Sequence, residues 1–166
     1  DVATRARTVA HRRVSPARDP ELAGRICLAL MRVGTRLASG FDAGFGSHGL
    51  TQGQFRLLIA VANCEGSTGA TPSALADYLF VERATVSVLI KRPLAKRLLV
   101  RRRGTDARSY RVSITPAGWE ALKAIKPHAT ASAATALAGI PTRELEALEK
   151  QLAGVEASLR AARAQP

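Results

Sequence analysis

Thr71-Pro72-Ser73-Ala74-Leu75-Ala76-Asp77-Tyr78-Leu79-Phe80-Val81-Glu82-Arg83-Ala84-Thr85-Val86-Ser87-Val88-Leu89-Ile90-Lys91-Arg92 is followed, past a break at Pro93, by Lys96-Arg97-Leu98-Leu99-Val100-Arg101-Arg102-Arg103 and then by Tyr110-Arg111-Val112-Ser113-Ile114-Thr115. Thr71 can cap a helix, and Pro72 sits where an N–H would have no partner anyway. Leu75, Ala76 and Leu79 supply the inward face of that helix, and Val86, Leu89 and Ile90 that of a second one. Arg83, Thr85, Ser87, Val88, Lys91 and Arg92 are left facing outward. Tyr110, Val112 and Ile114 alternate with Arg111 and Ser113, which is strand periodicity, and Leu99 to Arg102 can pair with them across Gly104 to Arg108. A helix, a turn, a second helix and a basic hairpin in this order make a winged helix-turn-helix, a device for binding duplex DNA.

Charge agrees with that partner. The 166 residues carry a formal net charge of +12, and nine Lys or Arg residues but one acid, Asp106, fall between Lys91 and Arg111. Such concentration points to nucleic acid rather than to solubility. Aromatics make up only 4% of the chain, too few for the stacking platforms of single-strand or RNA binders. No apolar run approaches the ~20 residues of a membrane span, so the expected location is the cytoplasm. Cys27 and Cys64 lack metal-ligand spacing, and neither a zinc site nor any other cofactor is expected.

The remaining chain reads as support. Residues 1–20 hold five arginines, one histidine and two prolines, a basic arm that is either disordered or reaches DNA or a partner subunit. Leu22, Ile26, Leu30, Val33 and Leu37 form the stripe of an amphipathic helix, which Gly40, Gly44 and Gly46 should end, with Phe41 and Phe45 as core contacts. Thr51 and Gln54 have capping-box spacing and open a helix whose expected buried face is Phe55, Leu58, Ile59, Val61 and Ala62. Thr115-Pro116 repeats the capping signal of Thr71-Pro72, and Trp119, Leu122 and Ile125 mark a helix that Pro127 should limit or kink. Thr142 opens the last helix, where Leu145, Leu148, Leu152, Val155 and Leu159 recur at 3,4,3,4 spacing, the seam of a helix that packs on another helix. Together with Leu22 and Ile26, this seam suits packing between two subunits.

Leu50-Thr51-Gln52-Gly53-Gln54-Phe55, Leu75-Ala76, Ala84-Thr85-Val86-Ser87, Leu99-Val100-Arg101-Arg102, Asp106-Ala107-Arg108 and Ile114-Thr115-Pro116-Ala117-Gly118 occur in an order and spacing that resembles the MarR family of bacterial transcription regulators. The resemblance covers roughly Leu22 to Leu159. It implies a mainly α fold with a small β-hairpin wing and a two-fold dimer joined by its first and last helices. Residues 1–20 would be the arm, 21–48 and 116–166 the dimerisation region, and 49–115 the DNA-binding lobe. The recognition helix, Glu82 to about Arg92, would enter the major groove. Asp106 and Arg108 match the family's wing Asp-x-Arg, in which the arginine enters the minor groove and the aspartate steadies it. Glu82 stands where the family has a small polar residue, Pro93 looks like a one-residue insertion, and Leu98 replaces the usual glycine.

On this reading Lys91, Arg92, Arg101, Arg102, Arg103 and Arg111 contact phosphate, Arg83, Thr85, Ser87 and Val88 read base edges, and Thr71 and Ser73 complete the DNA face. The surroundings of Cys27 are similar to the organic-hydroperoxide-sensing branch of the family, although that branch's tyrosines appear here as Phe41 and Gln52. An aromatic anion is the other effector that the resemblance implies, with Arg36, His48 and Gln52 as candidate contacts. The expected activity is therefore a sequence-specific regulator, a repressor in sense, binding an inverted repeat as a homodimer. A sequence-indifferent architectural DNA binder would use the same charge. An enzyme is disfavoured because His11, His48 and His128 are scattered and no nucleophile motif or phosphate loop is present.

Overall fold

The computed structural model describes residues 18–46, 49–66, 68–104 and 109–163. The basic arm up to residue 17, His48, Asp106 and Arg108 lie outside the described residues. The elements are α1 (Pro20–Phe45), α2 (Gln52–Cys64), α3 (Pro72–Leu79), α4 (Arg83–Leu89), α5 (Lys91–Ala95), β1 (Leu99–Arg103), β2 (Tyr110–Ile114), α6 (Pro116–Ala136) and α7 (Thr142–Arg163). Contacts group residues 32–138 into one unit, and residues 1–31 with 139–166 into another.

In the larger unit α2 is the central helix, packed against α3, α4, α6 and β2. Its start is the expected capping box: Thr51 Oγ1 accepts from the Gln54 N–H at 3.3 Å, and Gln54 Oε1 accepts from the Thr51 N–H at 3.2 Å. The buried face is Gln54, Leu57, Leu58, Ala60 and Val61, so the sequence expectation missed Leu57 and Ala60. Phe55, Ile59 and Ala62 are half-buried because they border a groove with α6 instead. Around α2 the core collects Phe45, Leu50, Leu75, Leu79, Val86, Ile90, Leu99, Val112, Ile114 and Ile125.

Two expected breaks fall elsewhere, and Pro127 does not end its helix. Gly40 and Gly44 lie inside α1, which runs on to Phe45. A glycine in a helix costs about 1 kcal/mol, whereas burying a phenylalanine gains about 1.5–3 kcal/mol. Phe45 is fully buried, with its ring 4.9 Å edge-on from Phe55 and 5.5 Å from Phe41, so packing carries the helix through its glycines. Pro127 lies inside α6, where Lys123, whose carbonyl loses its partner, is exposed to water. Pro93 lies inside α5, and the break comes earlier, at Ile90. Proline has no N–H to give the carbonyl of Leu89, but it fits the first turn of a new helix, and Leu94 N–H then bonds Ile90 O at 3.0 Å.

In the smaller unit, Leu22 and Ile26 of α1 and Leu152, Val155 and Leu159 of α7 are exposed, while Leu145 and Leu148 are half-buried. These apolar stripes stand open to solvent in the single chain.

Candidate nucleic-acid interface

The interface begins with how α4 is presented. Thr71 Oγ1 accepts from the Ala74 N–H at 3.2 Å, so this hydroxyl holds the start of α3 and leaves Ser73 exposed beside it. Phe80 closes α3 in the left-handed conformation (φ 56, ψ 41), and the Val81 N–H reaches back to Ala76 O at 3.1 Å. That turn delivers Glu82 as the N-cap residue of α4. Val86 and Ile90 are buried beneath, and Leu89 is half-buried. Arg83, Thr85, Ser87 and Val88 are exposed together on α4, with Lys91 and Arg92 continuing onto α5. Ser87 Oγ donates to Arg83 O at 3.2 Å. Ala84, which sequence reasoning left out of the outward set, is exposed as well. Its signal was available, since it lies four residues before Val88 on the same face.

The wing is anchored to the core at one end. Leu99 pairs with Ile114, Arg101 with Val112 and Arg103 with Tyr110 on one face, and Val100 with Ser113 and Arg102 with Arg111 on the other. The Arg101 guanidinium lies 3.7 Å over the Tyr110 ring, a cation–π contact that orients it. Arg111 is half-buried and donates to Gly69 O at 3.0 Å, so it ties the wing to the α2–α3 loop. Arg102 and Arg103 are exposed.

Two supports of the wing were not foreseen. Ala70 forms a bridge to Val112, exchanging N–H to O bonds of 2.8 and 2.9 Å, in effect a one-residue third strand. Gly69 permits this approach: its φ is +92, and a Cβ there would stand 2.8 Å from Ser113 Oγ. Glu65 Oε2 accepts the Ile114 N–H at 2.9 Å, satisfying a buried strand donor. A lone glycine and a loop glutamate carry no sequence signal for such long-range contacts.

The effector candidates separate. Arg36 lines an open groove of about 580 Å³ between α1 and α6, with Val33, Leu37, Phe41, Ser132 and Thr135. Gln52 is not on that groove; its N–H donates to the Asp42 carboxylate. A second groove of about 510 Å³ lies between α2 and α6, where Phe55, Ile59 and the 48% exposed Trp119 are flanked by Lys123 and Lys126. Cys27 is exposed on α1. Cys64, at the end of α2, is half-buried, and burial pushes its thiol pKa up. Among the described residues no cluster of His, Cys, Asp or Glu could hold a metal ion, and no helix is long and apolar enough to cross a membrane.

Residues 48–109 match the family model of the MarR family. No curated protein matches the chain by sequence. Among solved structures, a MarR-family transcriptional regulator from Rhodococcus sp. RHA1 is 18% identical with a TM-score of 0.74, over 86% of this chain and 96% of that one. The transcriptional regulator MOSR of M. tuberculosis, solved in complex with DNA, is 25% identical with a TM-score of 0.69, over 82% and 97%. BpsR of Bordetella bronchiseptica, whose DNA binding is regulated by 6-hydroxynicotinic acid, is 23% identical with a TM-score of 0.71, over 79% and 98%. Residues 48–109 thus match the MarR family, and the chain around them shares the winged-helix fold of a solved MarR-family transcription regulator.

Proposed function

We propose that the chain is a sequence-specific repressor that binds an inverted-repeat operator as a homodimer and is released by a small molecule or by oxidation. The observation that carries this reading is the outward face of α4, where Arg83, Thr85, Ser87 and Val88 are exposed with Lys91 and Arg92 beside them while Val86 and Ile90 hold the helix on the core. A helix so fixed can enter a major groove without rearranging. Exposed Arg102 and Arg103 extend the positive surface along β1, and Asp106 and Arg108 are proposed for the minor groove on their match to the family's Asp-x-Arg pattern alone.

Dimerisation is supported by the exposed apolar residues of α1 and α7, Leu22, Ile26, Leu152, Val155 and Leu159, which continue the half-buried Leu145 and Leu148. Residues 21–48 and 116–166 then serve the dimer and 49–115 the DNA. Two-fold symmetry in the protein calls for an inverted repeat with half-sites about one helical turn apart.

Release follows from any ligand that prefers the spacing of the two α4 helices unable to bind DNA. Arg36 and Phe41, both in the lining of the α1–α6 groove, offer a guanidinium and a ring to an aromatic anion, while Gln52, off that groove, and His48 stay candidates from the sequence alone. The alternative trigger is Cys27: its thiolate attacks an organic hydroperoxide, the O–O bond breaks, and a sulfenic acid and an alkoxide result. Footprinting on the chain's own upstream DNA, with excess competitor, tests the core of the reading. A discrete two-half-site footprint is expected, and uniform coverage would instead indicate an architectural DNA binder. Repeating it with hydroperoxide on wild type and Cys27→Ser, and with aromatic acids on wild type and Arg36→Ala, assigns the trigger.

A further inference from the structure

The outermost residues of α4 are apolar. At about 100° per residue, Ala84 and Val88 each lie about 160° from the buried Val86, so together they form the crest of the helix. Both are exposed, Val88 at 64%. They stand one turn apart on a single ridge, with Thr85 and Ser87 to either side and the cations Arg83, Lys91 and Arg92 around them.

A crest without donors or acceptors cannot recognise a base through hydrogen bonds. In the major groove the thymine C5-methyl is the apolar feature among the base edges, and alanine-sized and branched aliphatic groups are its natural contacts. The surrounding positive charge selects a polyanion over an apolar protein partner for this patch. We infer that Ala84 and Val88 are specificity-determining residues that select thymine at the centre of each half-site by packing on its methyl group. The inference rests on α4 being the recognition helix, and it assigns base identity to the apolar crest, leaving orientation to the polar flanks and the cations.

Thymine-to-deoxyuridine replacement deletes this methyl group and no hydrogen-bonding atom. The full chain is used to select its preferred duplex from a random pool, and each thymine of the selected site is then replaced singly by deoxyuridine. At a thymine facing the crest, wild type should bind about fourfold more weakly after replacement, the value of burying one methyl-sized group. Val88→Ser, which puts a hydroxyl on the crest, should lose most of that discrimination and keep the salt dependence of wild type. Val88 is exposed, so an unchanged melting temperature confirms that the variant folds. A selected site in which no thymine shows a loss dependent on residue 88 overturns the methyl assignment alone. Enrichment of no discrete sequence overturns it together with the specific-regulator reading beneath it.

Discussion

Gly118→Ala should destabilise the chain, against the general rule that alanine improves a helix. A Cβ on Gly118 would stand 2.2 Å from the Leu98 carbonyl oxygen and 2.6 Å from Ile114 Cγ1. To restore even a short C···O contact of about 3.3 Å, the carbonyl would have to retreat about 1 Å. It is not free to do so. Leu98 O accepts the Thr115 N–H at 3.1 Å, and the Thr115 hydroxyl donates to Arg97 O at 2.8 Å while capping Gly118 N at 3.0 Å. Overpacking costs about 1–3 kcal/mol, and each strained hydrogen bond about 1 kcal/mol more. The gain in helix propensity returns about 1 kcal/mol, leaving, with two such bonds strained, a net loss of about 2–4 kcal/mol. For a chain of this size that lowers the melting temperature by roughly 4–16 °C. Urea unfolding should show a lower midpoint at unchanged slope. Gly34→Ala is the control: a Cβ there meets nothing within 4 Å, and a gain of about 0.5–1 kcal/mol is expected. A Gly118→Ala variant as stable as wild type would refute the reasoning. The prediction also gives a physical reason for glycine in Thr115-Pro116-Ala117-Gly118, because the start of α6 leans on the backbone that leads into β1.

Arg97 holds a left-handed conformation (φ 56) between α5 and β1, so Arg97→Gly should stabilise the fold by about 0.5–1 kcal/mol in the same urea assay, and a loss would show that its side chain matters more than its backbone. Glu65→Ala leaves the buried Ile114 N–H unsatisfied and should cost about 1–3 kcal/mol; equal stability would remove Glu65 as a support of the wing. Binding to the operator should weaken steeply with salt, and removing Arg102 or Arg103 should lower the log–log slope by about 0.9 for each phosphate no longer neutralised; an unchanged slope would exclude them as phosphate ligands. Burial pushes the Cys64 thiol up, so the native chain keeps a proton that the unfolded chain releases. The resulting stability is complete below the ordinary thiol pKa of about 8.5 and is lost as pH rises through it toward the raised native value. Cys64→Ala should flatten that alkaline decline in pH-dependent unfolding, and an identical decline in both proteins would contradict it.

Legibility followed the range of the interactions. The capping hydroxyls Thr51, Thr71 and Thr115 act on N–H groups three residues away, and all three caps form where local spacing places them. Alternation in Tyr110 to Ile114 and the buried trio of α3 are likewise set by neighbours, so helix-turn-helix and wing stand in the sequence itself. Helix ends were less legible at Gly40, Gly44, Pro93 and Pro127, because local propensities of about 1–3 kcal/mol compete there with burial that only the packed fold defines. The division of α2 into a face toward the core and a face toward α6 could not be taken from periodicity, since apolar residues lie on both sides of that helix. Charge type and location along the recognition segment were determined by the sequence alone, and with them the expected class of partner. Tertiary structure decided which of those cations are already engaged: Arg111 on Gly69 O and Arg101 over Tyr110, with Arg102 and Arg103 left exposed. It also brought Glu65 and Ala70 to the sheet across more than forty residues of chain. Contacts of that separation depend on where the intervening helices pack, and no local pattern encodes them.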